Sequence, residues 1–379
     1  MQSPIVKELV VVMVLELPDP DRIGPEQVVV VNDAQAGRIG FVVVDNLAAG
    51  PAIGGVRMAP DVTVAEVARL ARAMTLKNAA AGLPHGGAKA GIVADSTLPF
   101  ADKVRIVRWF GHAIRDIVGY IPGPDMGLDE RLMAHLRDSC GRAVGLPAVL
   151  GGIPLDELGA TGFGLAVAAD VAAERGVLDL AGAGVVVQGF GSVGTHVARF
   201  LAERGARVVA VSDSRGAVAD AGGLDVTALI THKAAGRPVS KFAGGRAVDP
   251  EDLVGMACDI WVPAARPDVF TMENVGQVQA RLVLEGANIP ASREAEEKLH
   301  ASGVVVLPDF VANSGGVICA AVEYAGGTRA QAFASIEEKI RANVTATLDG
   351  VDATGDSPRV VAERLAEKRV AEAMSYRVG

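Results

Sequence analysis

The chain is poor in cysteine. Cys140, Cys258 and Cys319 are its only three, they lie far apart, and no CxxC pair occurs. An odd, scattered set excludes a disulfide framework and a zinc knuckle, leaves no expected metal site, and fits a reducing cytoplasm. Long apolar runs are missing too. The longest near the start, "LVVVMVLEL", is too short to span a bilayer and contains Glu16. It lacks the basic start and small-residue cleavage site of a signal peptide, so it reads as a strand or core helix, and no membrane partner is expected. Basic blocks are also absent. With a net charge of −9 and no Lys/Arg cluster, the chain offers nothing to a phosphate backbone, which excludes nucleic acid as a partner. What it has in quantity is apolar residues, half of its 379 positions. That is enough for two domains with sizeable cores and too much for a disordered chain.

Two β-branched runs flank a Gly-containing turn in "EQVVVVNDAQAGRIGFVVVDN", which predicts a hairpin. "DVTVAEVARLARAMTLKNAAAGL" then predicts a helix, capped by Asp61 or Thr63 and ended by Gly82. Val67, Leu70, Met74, Lys77 and Ala81 recur along it at three- and four-residue steps, so Lys77 falls on the apolar stripe. A second helix is expected from about Asp102 to Val118. The prolines and glycines of "IPGPDMG" then predict a rigid turn around Asp125. "LGGIPLDELGATG" reads as a hinge. Beyond it "GVVVQGF", "RVVAVSD", "DIWVPAA", "RLVLEGA" and "GVVVLPD" alternate with helical patterns, as in a parallel α/β sheet buried on both faces. Helical patterning returns from about Ile336.

"VVVQGFGSVGTHVARFLAERGARVVAVSD" carries a dinucleotide fingerprint. Gly189, Gly191 and Gly194 satisfy G-x-G-x-x-G between an apolar strand and an apolar-periodic helix, Gly205 closes that helix, and Asp213 ends the next strand. Gly189 permits the tight turn, Gly191 the approach of a pyrophosphate, and Gly194 close packing of helix on strand. Ser192 and Val193 lie between these glycines and are assigned to the cofactor with them. The helix N-terminus attracts phosphate. Asp213 can accept from a ribose 2′-hydroxyl and would repel a 2′-phosphate, whereas Arg215 could bind one. The cofactor is therefore NAD or NADP, with NAD favoured.

Lys77, Lys89 and Asp125 each have an ordinary reading when taken singly: a snorkelling lysine, a loop-surface lysine and a turn-stabilising aspartate. Together they suggest chemistry. An ammonium on an apolar stripe needs an anion, and a substrate carboxylate would serve. A second lysine in a glycine-lined cleft is expected to have its pKa lowered by desolvation and by its like-charged neighbour, and so to act as a base. A fixed carboxylate could exchange protons with it. Nicotinamide redox chemistry beside such a triad suits oxidation of an amino or hydroxy acid.

At these residues the chain resembles the amino-acid dehydrogenases of the glutamate, leucine, phenylalanine and valine type. The resemblance runs from about "GPAIGGVRM" to "VEYAGG" through "MTLKNAAAGLPHGGAKAG", "PDMG", "ATGFG", "QGFGSVG", "VSDSRG", "LEGAN" and "ANSGGV". It implies an α/β substrate domain (1–150), a Rossmann-type, doubly wound dinucleotide-binding domain (151–335), and a helical segment (336–379) that packs back on the first domain. It implies that Lys77 binds the substrate α-carboxylate, that Lys89 is the catalytic base and that Asp125 relays protons. Gly54, Gly55 and Asn313 join the substrate-binding set, while Thr161, Ala264 and Asn288 join the cofactor-binding set. Thr161 reads equally well as a plain helix N-cap. The implied reaction is reversible oxidative deamination of an L-amino acid to a 2-oxo acid and ammonia. The implied assembly is a homo-oligomer.

The sequence departs from the glutamate-specific pattern at two positions. Ile53 stands where such members have a lysine before the double glycine, and Ala320 where they have a serine. Both partners of a side-chain carboxylate are missing, which favours an apolar substrate. Conversely, "LITHKAAGRPVSKFAGG" looks like the glutamate branch, so a glutamate dehydrogenase with atypical carboxylate binding is the alternative. A catalytically silent nucleotide-binding homologue is the third reading. His85, beside "GGAKAG", reads as a packed surface histidine, a pocket wall or a neighbour that tunes Lys89.

Overall fold

The computed structural model describes residues 19–377; the apolar run at 9–17 lies outside the described residues. The expected hairpin opens the fold as β1 (Gln27–Asp33) and β2 (Arg38–Asn46), paired antiparallel. β3 (Ala52–Ala59), α1 (Val64–Ala80), β4 (Gly87–Val93), α2 (Phe100–Ala113), β5 (Tyr120–Pro124) and α3 (Glu130–Cys140) follow. The strands form one sheet in the order β1-β2-β4-β3-β5, with β3 parallel to both β4 and β5.

Thr63, not Asp61, caps α1, its side chain accepting from the Glu66 amide. The buried stripe of α1 differs from the expected one. Val64, Val67, Ala71, Thr75 and Asn78 face the core, while Leu70, Met74 and Lys77 are half-buried on its flank. Two polar residues can occupy the core face because their donors find acceptors there, although Asn78 Oδ1 has no partner among the described residues. Thr75 Oγ1 donates to Asp45 Oδ2 at 2.5 Å, and Asn78 Nδ2 to the Gly86 carbonyl at 2.6 Å.

"IPGP" is not a turn but most of β5. Its prolines are tolerated because, among the described residues, β5 is an edge strand paired with β3 alone. The turn begins one residue later, where the Leu128 amide donates to the Asp125 carbonyl at 3.0 Å. Gly54 on β3 answers a close approach: a Cβ there would stand 1.6 Å from the Ala88 carbonyl oxygen.

The segment read as a hinge contains one helical turn, α4 (Leu155–Leu158), and leads into α5 (Ala160–Glu174). A second sheet follows, built from β6 (Gly184–Gln188), α6 (Ser192–Glu203), β7 (Arg207–Asp213), β8 (Gly216–Ala219), α7 (Val226–Ala234), β9 (Arg246–Val248), β10 (Ile260–Pro263), β11 (Leu282–Leu284), α8 (Arg293–Ala301) and β12 (Val305–Leu307). The order is β12-β11-β10-β6-β7-β8-β9. The five expected strands are the parallel ones. β8 and β9 extend the edge antiparallel and are too short and polar-flanked to stand out in the sequence. The chain order reverses between β6 and β10, the place where open α/β sheets bind ligands at the strands' carboxyl ends.

α9 (Asp309–Ala312), α10 (Gly315–Tyr324), α11 (Arg329–Thr354) and α12 (Pro358–Ser375) complete the fold. α11 starts at Arg329, behind a capping box of Thr328 and Gln331, so a boundary at 336 would cut through it. It packs on α5 and α10, and α12 is the helix that reaches α1 of the first sheet. Among the described residues no helix is long and apolar enough to cross a membrane.

Candidate active site

The glycine loop between β6 and α6 has the geometry its motif requires. Gly189 has φ of 91°, and a Cβ there would meet the Ala265 Cβ at 2.6 Å. A Cβ on Gly194 would stand 1.7 Å from the Gly189 carbonyl oxygen, so α6 can cross the loop only with glycine at that position. Gly191, by contrast, faces open space within 4 Å. The Ala264 amide donates to the Gln188 carbonyl at 2.8 Å, which brings the ends of β10 and β6 together. The buried Gln188 Oε1 beside this loop has no partner. Open space above Gly191, free amides at the start of α6 and an orphaned acceptor fit a dinucleotide.

The structure adds detail to four of the residues assigned to the cofactor. Asp213 does not present a free carboxylate. Its Oδ2 accepts from Lys233 Nζ at 2.5 Å and from the Val239 amide at 3.2 Å, and its Oδ1 from the Arg215 amide at 2.8 Å. Burial pushes this carboxyl up, yet Lys233 and the amides hold it below the usual carboxylate range. The Arg215 guanidinium is tied to the Gly236 carbonyl at 3.0 Å. Thr161 is not a cap. Gly159 precedes α5, and Thr161 Oγ1 lies against Gly316, where an added Cβ would stand 3.1 Å from it. Ser192 Oγ, at the start of α6, lies 3.3 Å from Asp156 Oδ1.

In the first sheet, Lys89 on β4 is buried and Asp125 follows β5, so β3 lies between them. The lysine crosses at Gly55. A Cβ there would stand 3.2 Å from Lys89 Nζ and 2.8 Å from the Asp125 Cβ. Through that gap Lys89 Nζ reaches Asp125 Oδ2 at 2.8 Å. The same oxygen accepts from Arg57 Nε at 3.2 Å, and Arg57 Nη1 in turn meets Glu66 at 2.5 Å. Burial pushes the Asp125 carboxyl up, but Lys89 and Arg57 outweigh it and hold the group below the usual carboxylate range. Sequence reading missed Arg57, although period-two spacing from Gly55 puts it on the same face of β3.

Lys77, near the end of α1, is the lysine whose environment depresses it. Surrounding protein desolvates its ammonium, Asp309 and Asp125 pull the other way, and Lys89 adds repulsion; the result is a pKa of about 8. Among the described residues no carboxylate forms an ion pair with it. Lys89, by contrast, has Asp125 as its counter-ion.

Asn313 is buried, and its Nδ2 reaches Asn288 Oδ1 at 3.2 Å, while its own Oδ1 has no partner. Ile53 and Ala320 are buried in one apolar cluster with Ile121 and Val144. His85 is not a surface residue. It is buried, with Nδ1 2.9 Å from the Pro51 carbonyl and its ring edge-on to Tyr324.

A glycine loop of dinucleotide type at a sheet switch point, together with a lysine–carboxylate pair in a second α/β domain, fits a two-domain dehydrogenase. Residues 151–378 match the family model described as Glutamate/Leucine/Phenylalanine/Valine dehydrogenase, and 25–142 match the Glu/Leu/Phe/Val dehydrogenase dimerisation domain. A glutamate dehydrogenase of Aeropyrum pernix is 36% identical over 386 residues, 95% of this chain and 92% of that protein. A hetero-hexameric glutamate dehydrogenase from Thermus thermophilus, solved in a leucine-bound form, superposes with a TM-score of 0.84 at 33% identity, covering 94% of this chain and 90% of that one. The L-tryptophan dehydrogenase of Nostoc punctiforme shares the fold, with a TM-score of 0.72 at 24% identity over 93% of this chain and 97% of that one. The chain belongs to the glutamate/leucine/phenylalanine/valine dehydrogenase family and is an amino-acid dehydrogenase, an NAD- or NADP-using oxidoreductase.

The two glycines of the loop separate binding from folding. Gly194→Ala forces a backbone contact apart and is expected to destabilise the protein by about 3 kcal/mol or more, read as a fall in thermal midpoint. Gly191→Ala meets nothing and should leave the midpoint unchanged while weakening NADH and NADPH binding in a fluorescence titration.

Proposed function

We propose that this enzyme carries out the reversible oxidative deamination of an L-amino acid with an apolar side chain, releasing the 2-oxo acid and ammonia. The observation that carries the substrate choice is that Ile53 and Ala320 are both buried apolar side chains, 3% and 6% exposed. Neither offers a hydrogen bond to a carboxylate, and burying an unpaired carboxylate is costly. An apolar side chain gains roughly 25 cal/mol per Å² buried. Glutamate is the second reading, favoured by the names of the Aeropyrum and Thermus relatives.

Lys77, without a carboxylate of its own, binds the substrate α-carboxylate. A bound nicotinamide supplies the hydride acceptor for the α-carbon; Gly189, Gly191, Ser192, Val193, Gly194, Thr161, Ala264 and Asn288 are the residues proposed to hold that cofactor. Lys89, once it has passed a proton to Asp125, takes a proton from the water that attacks the imino carbon. Asp125 returns a proton to the departing ammonia. Gly54 and Gly55 keep this space open, and the free Oδ1 of Asn313 accepts from the substrate. Asp213 no longer argues for NAD, because its charge is already paired with Lys233. Lys233 and Arg215 flank it as cations, so both cofactors are compatible with the site. Scattered unpaired cysteines fit a cytoplasmic enzyme, and the dimerisation-domain match supports a homo-oligomer.

Three measurements follow from this mechanism. Lys89→Ala should lose about a hundred- to ten-thousand-fold in kcat and keep nucleotide affinity, since Lys89 lies in the other domain. Wild-type turnover in that variant removes Lys89 from the mechanism. Lys77 is charged below pH 8 and neutral above it, so KM for the 2-oxo acid should rise as the pH passes about 8 and approach about tenfold per unit beyond. A KM flat to pH 10 would detach Lys77 from carboxylate binding. Finally, kcat/KM for leucine, valine, phenylalanine and tryptophan should exceed that for glutamate, and Ile53→Lys with Ala320→Ser should shift the ranking toward glutamate. Glutamate winning in the wild type overturns the substrate choice and leaves the reaction class in place.

A further inference from the structure

One buried group of charges has no part in this mechanism. Glu285 follows β11, Glu296 lies on α8, Asp309 opens α9, and Arg359 stands in the first turn of α12. All three carboxyl groups are buried, Glu285 completely. Arg359 Nη2 donates to Glu285 Oε2 at 2.9 Å and to Asp309 Oδ1 at 3.0 Å, and its Nε donates to Glu296 Oε2 at 2.6 Å. The neighbouring cations do not redress the count. Arg293 on α8 pairs with Glu363 of α12 at 2.7 Å and is only a minor influence on Glu296, and of these three carboxyl groups Lys77 on α1 acts on Asp309. Three buried carboxylates on one guanidinium are not tolerated, so one must be neutral. Burial pushes both Glu285 and Glu296 up, and we assign the proton to Glu285, which is completely buried and has one oxygen without a partner. Burial, with Glu296 and Asp309 beside it, pushes its carboxyl well up against the pull of Arg359. Its Oε2 accepts from Arg359 and from the Asp309 amide, which leaves the partnerless Oε1 for the proton.

Asp309 has a second oxygen to give. Its Oδ2 accepts from the Ile289 amide at 2.9 Å. Ile289 has φ of 50°, a left-handed conformation that β-branched residues avoid. Its side chain is 56% exposed, so packing does not hold it there. Hydrogen bonds on both sides do: Asp309 takes the amide, and the Asp268 amide donates to the Ile289 carbonyl at 3.1 Å. The residue before this strained peptide is Asn288, the partner of Asn313.

We propose that Arg359 and Asp309 form a positioning device for the loop Gly286–Ile289. Arg359, delivered by the C-terminal helix, fixes Asp309, and Asp309 holds the Ile289 peptide in the turn that sets Asn288 against Asn313. Glu285 completes the device as a neutral acid. The proposal rests on the reading of Asn288 and Asn313 given under Proposed function.

The full-length protein supplies the test. Arg359→Lys keeps the charge and removes the planar fork that serves several carboxyl groups at once. Amide hydrogen exchange over a peptide spanning residues 286–290 reports the hold on the loop without reference to turnover. It should accelerate at least about tenfold. With the best amino acid of the panel above, kcat should fall at least about tenfold, and the Kd of NADH and NADPH by fluorescence should rise, because the released loop carries Asn288. Glu285→Gln, a neutral mimic, should leave every readout within about twofold of wild type. Asp309→Asn carries the same expectations as Arg359→Lys and replaces it if that variant does not fold. Unchanged exchange in the folded variant overturns the proposal. So does accelerated exchange with kcat intact, or a Glu285→Gln as damaging as Arg359→Lys. If no amino acid is turned over by the wild type, the active-site reading fails, and exchange alone then decides whether the device exists.

Discussion

An ammonium buried in protein must have an anion within reach, and much of the first domain follows from meeting that requirement for Lys89. Its partner, Asp125, lies across an intervening strand. The lysine can cross only where β3 has no side chain, which makes position 55 a glycine. Asp125 must be held at the far side, which the proline-stiffened edge strand β5 and the tight turn after it achieve. Arg57 then shares the carboxylate, and Glu66 steadies Arg57. Removing one member of a buried pair leaves an uncompensated charge and costs about 3–5 kcal/mol. The contacts proposed to carry the chemistry therefore also hold the fold.

Lys77 has the opposite arrangement. It is half-buried and desolvated, with Asp309 and Asp125 near enough to be felt but no carboxylate in contact. A lysine with an internal counter-ion suits proton exchange, because the pair can pass a proton within itself. A lysine without one suits anion binding, because its strongest contact is left to the ligand. The division of roles proposed for the two residues follows from this difference in partners rather than from their positions in the motif.

Periodicity carried the fold well where elements were long or apolar: the hairpin, α1, α6 and the five parallel strands. It failed where burial was bought by hydrogen bonding. Thr75 and Asn78 lie on the core face of α1 because Asp45 and the Gly86 carbonyl take up their donors, and no hydropathy pattern contains that information. Local composition misled at "IPGP", where prolines signalled a turn but an edge position admits a strand. Asp213 shows the same limit within the site. Its spacing after the glycine motif was legible, but its pairing with Lys233, twenty residues along the chain, depends on how α7 folds over β7. Arg359 and Asp309 left no signal at all, since their partners are spread over four elements.

The two domains must hold substrate and cofactor in register, and α12 bears on both. Near its start Arg359 binds Asp309, which supports the Asn288 loop. Farther along, Arg369 Nη1 donates to the Ala79 and Ala80 carbonyls, at 3.0 and 2.6 Å, at the end of the helix that carries Lys77. A cation there also meets the negative end of the α1 dipole. The two arginines are separated by about 15 Å of continuous helix. Lys77 and the Asn288 loop are thus both referenced to one rigid rod rather than only to each other through a cleft. A displacement of α12 would shift them together, and strain in one would reach the other through the helix. The C-terminal helix is then part of the framework of the proposed active site, although none of its residues is assigned to the chemistry.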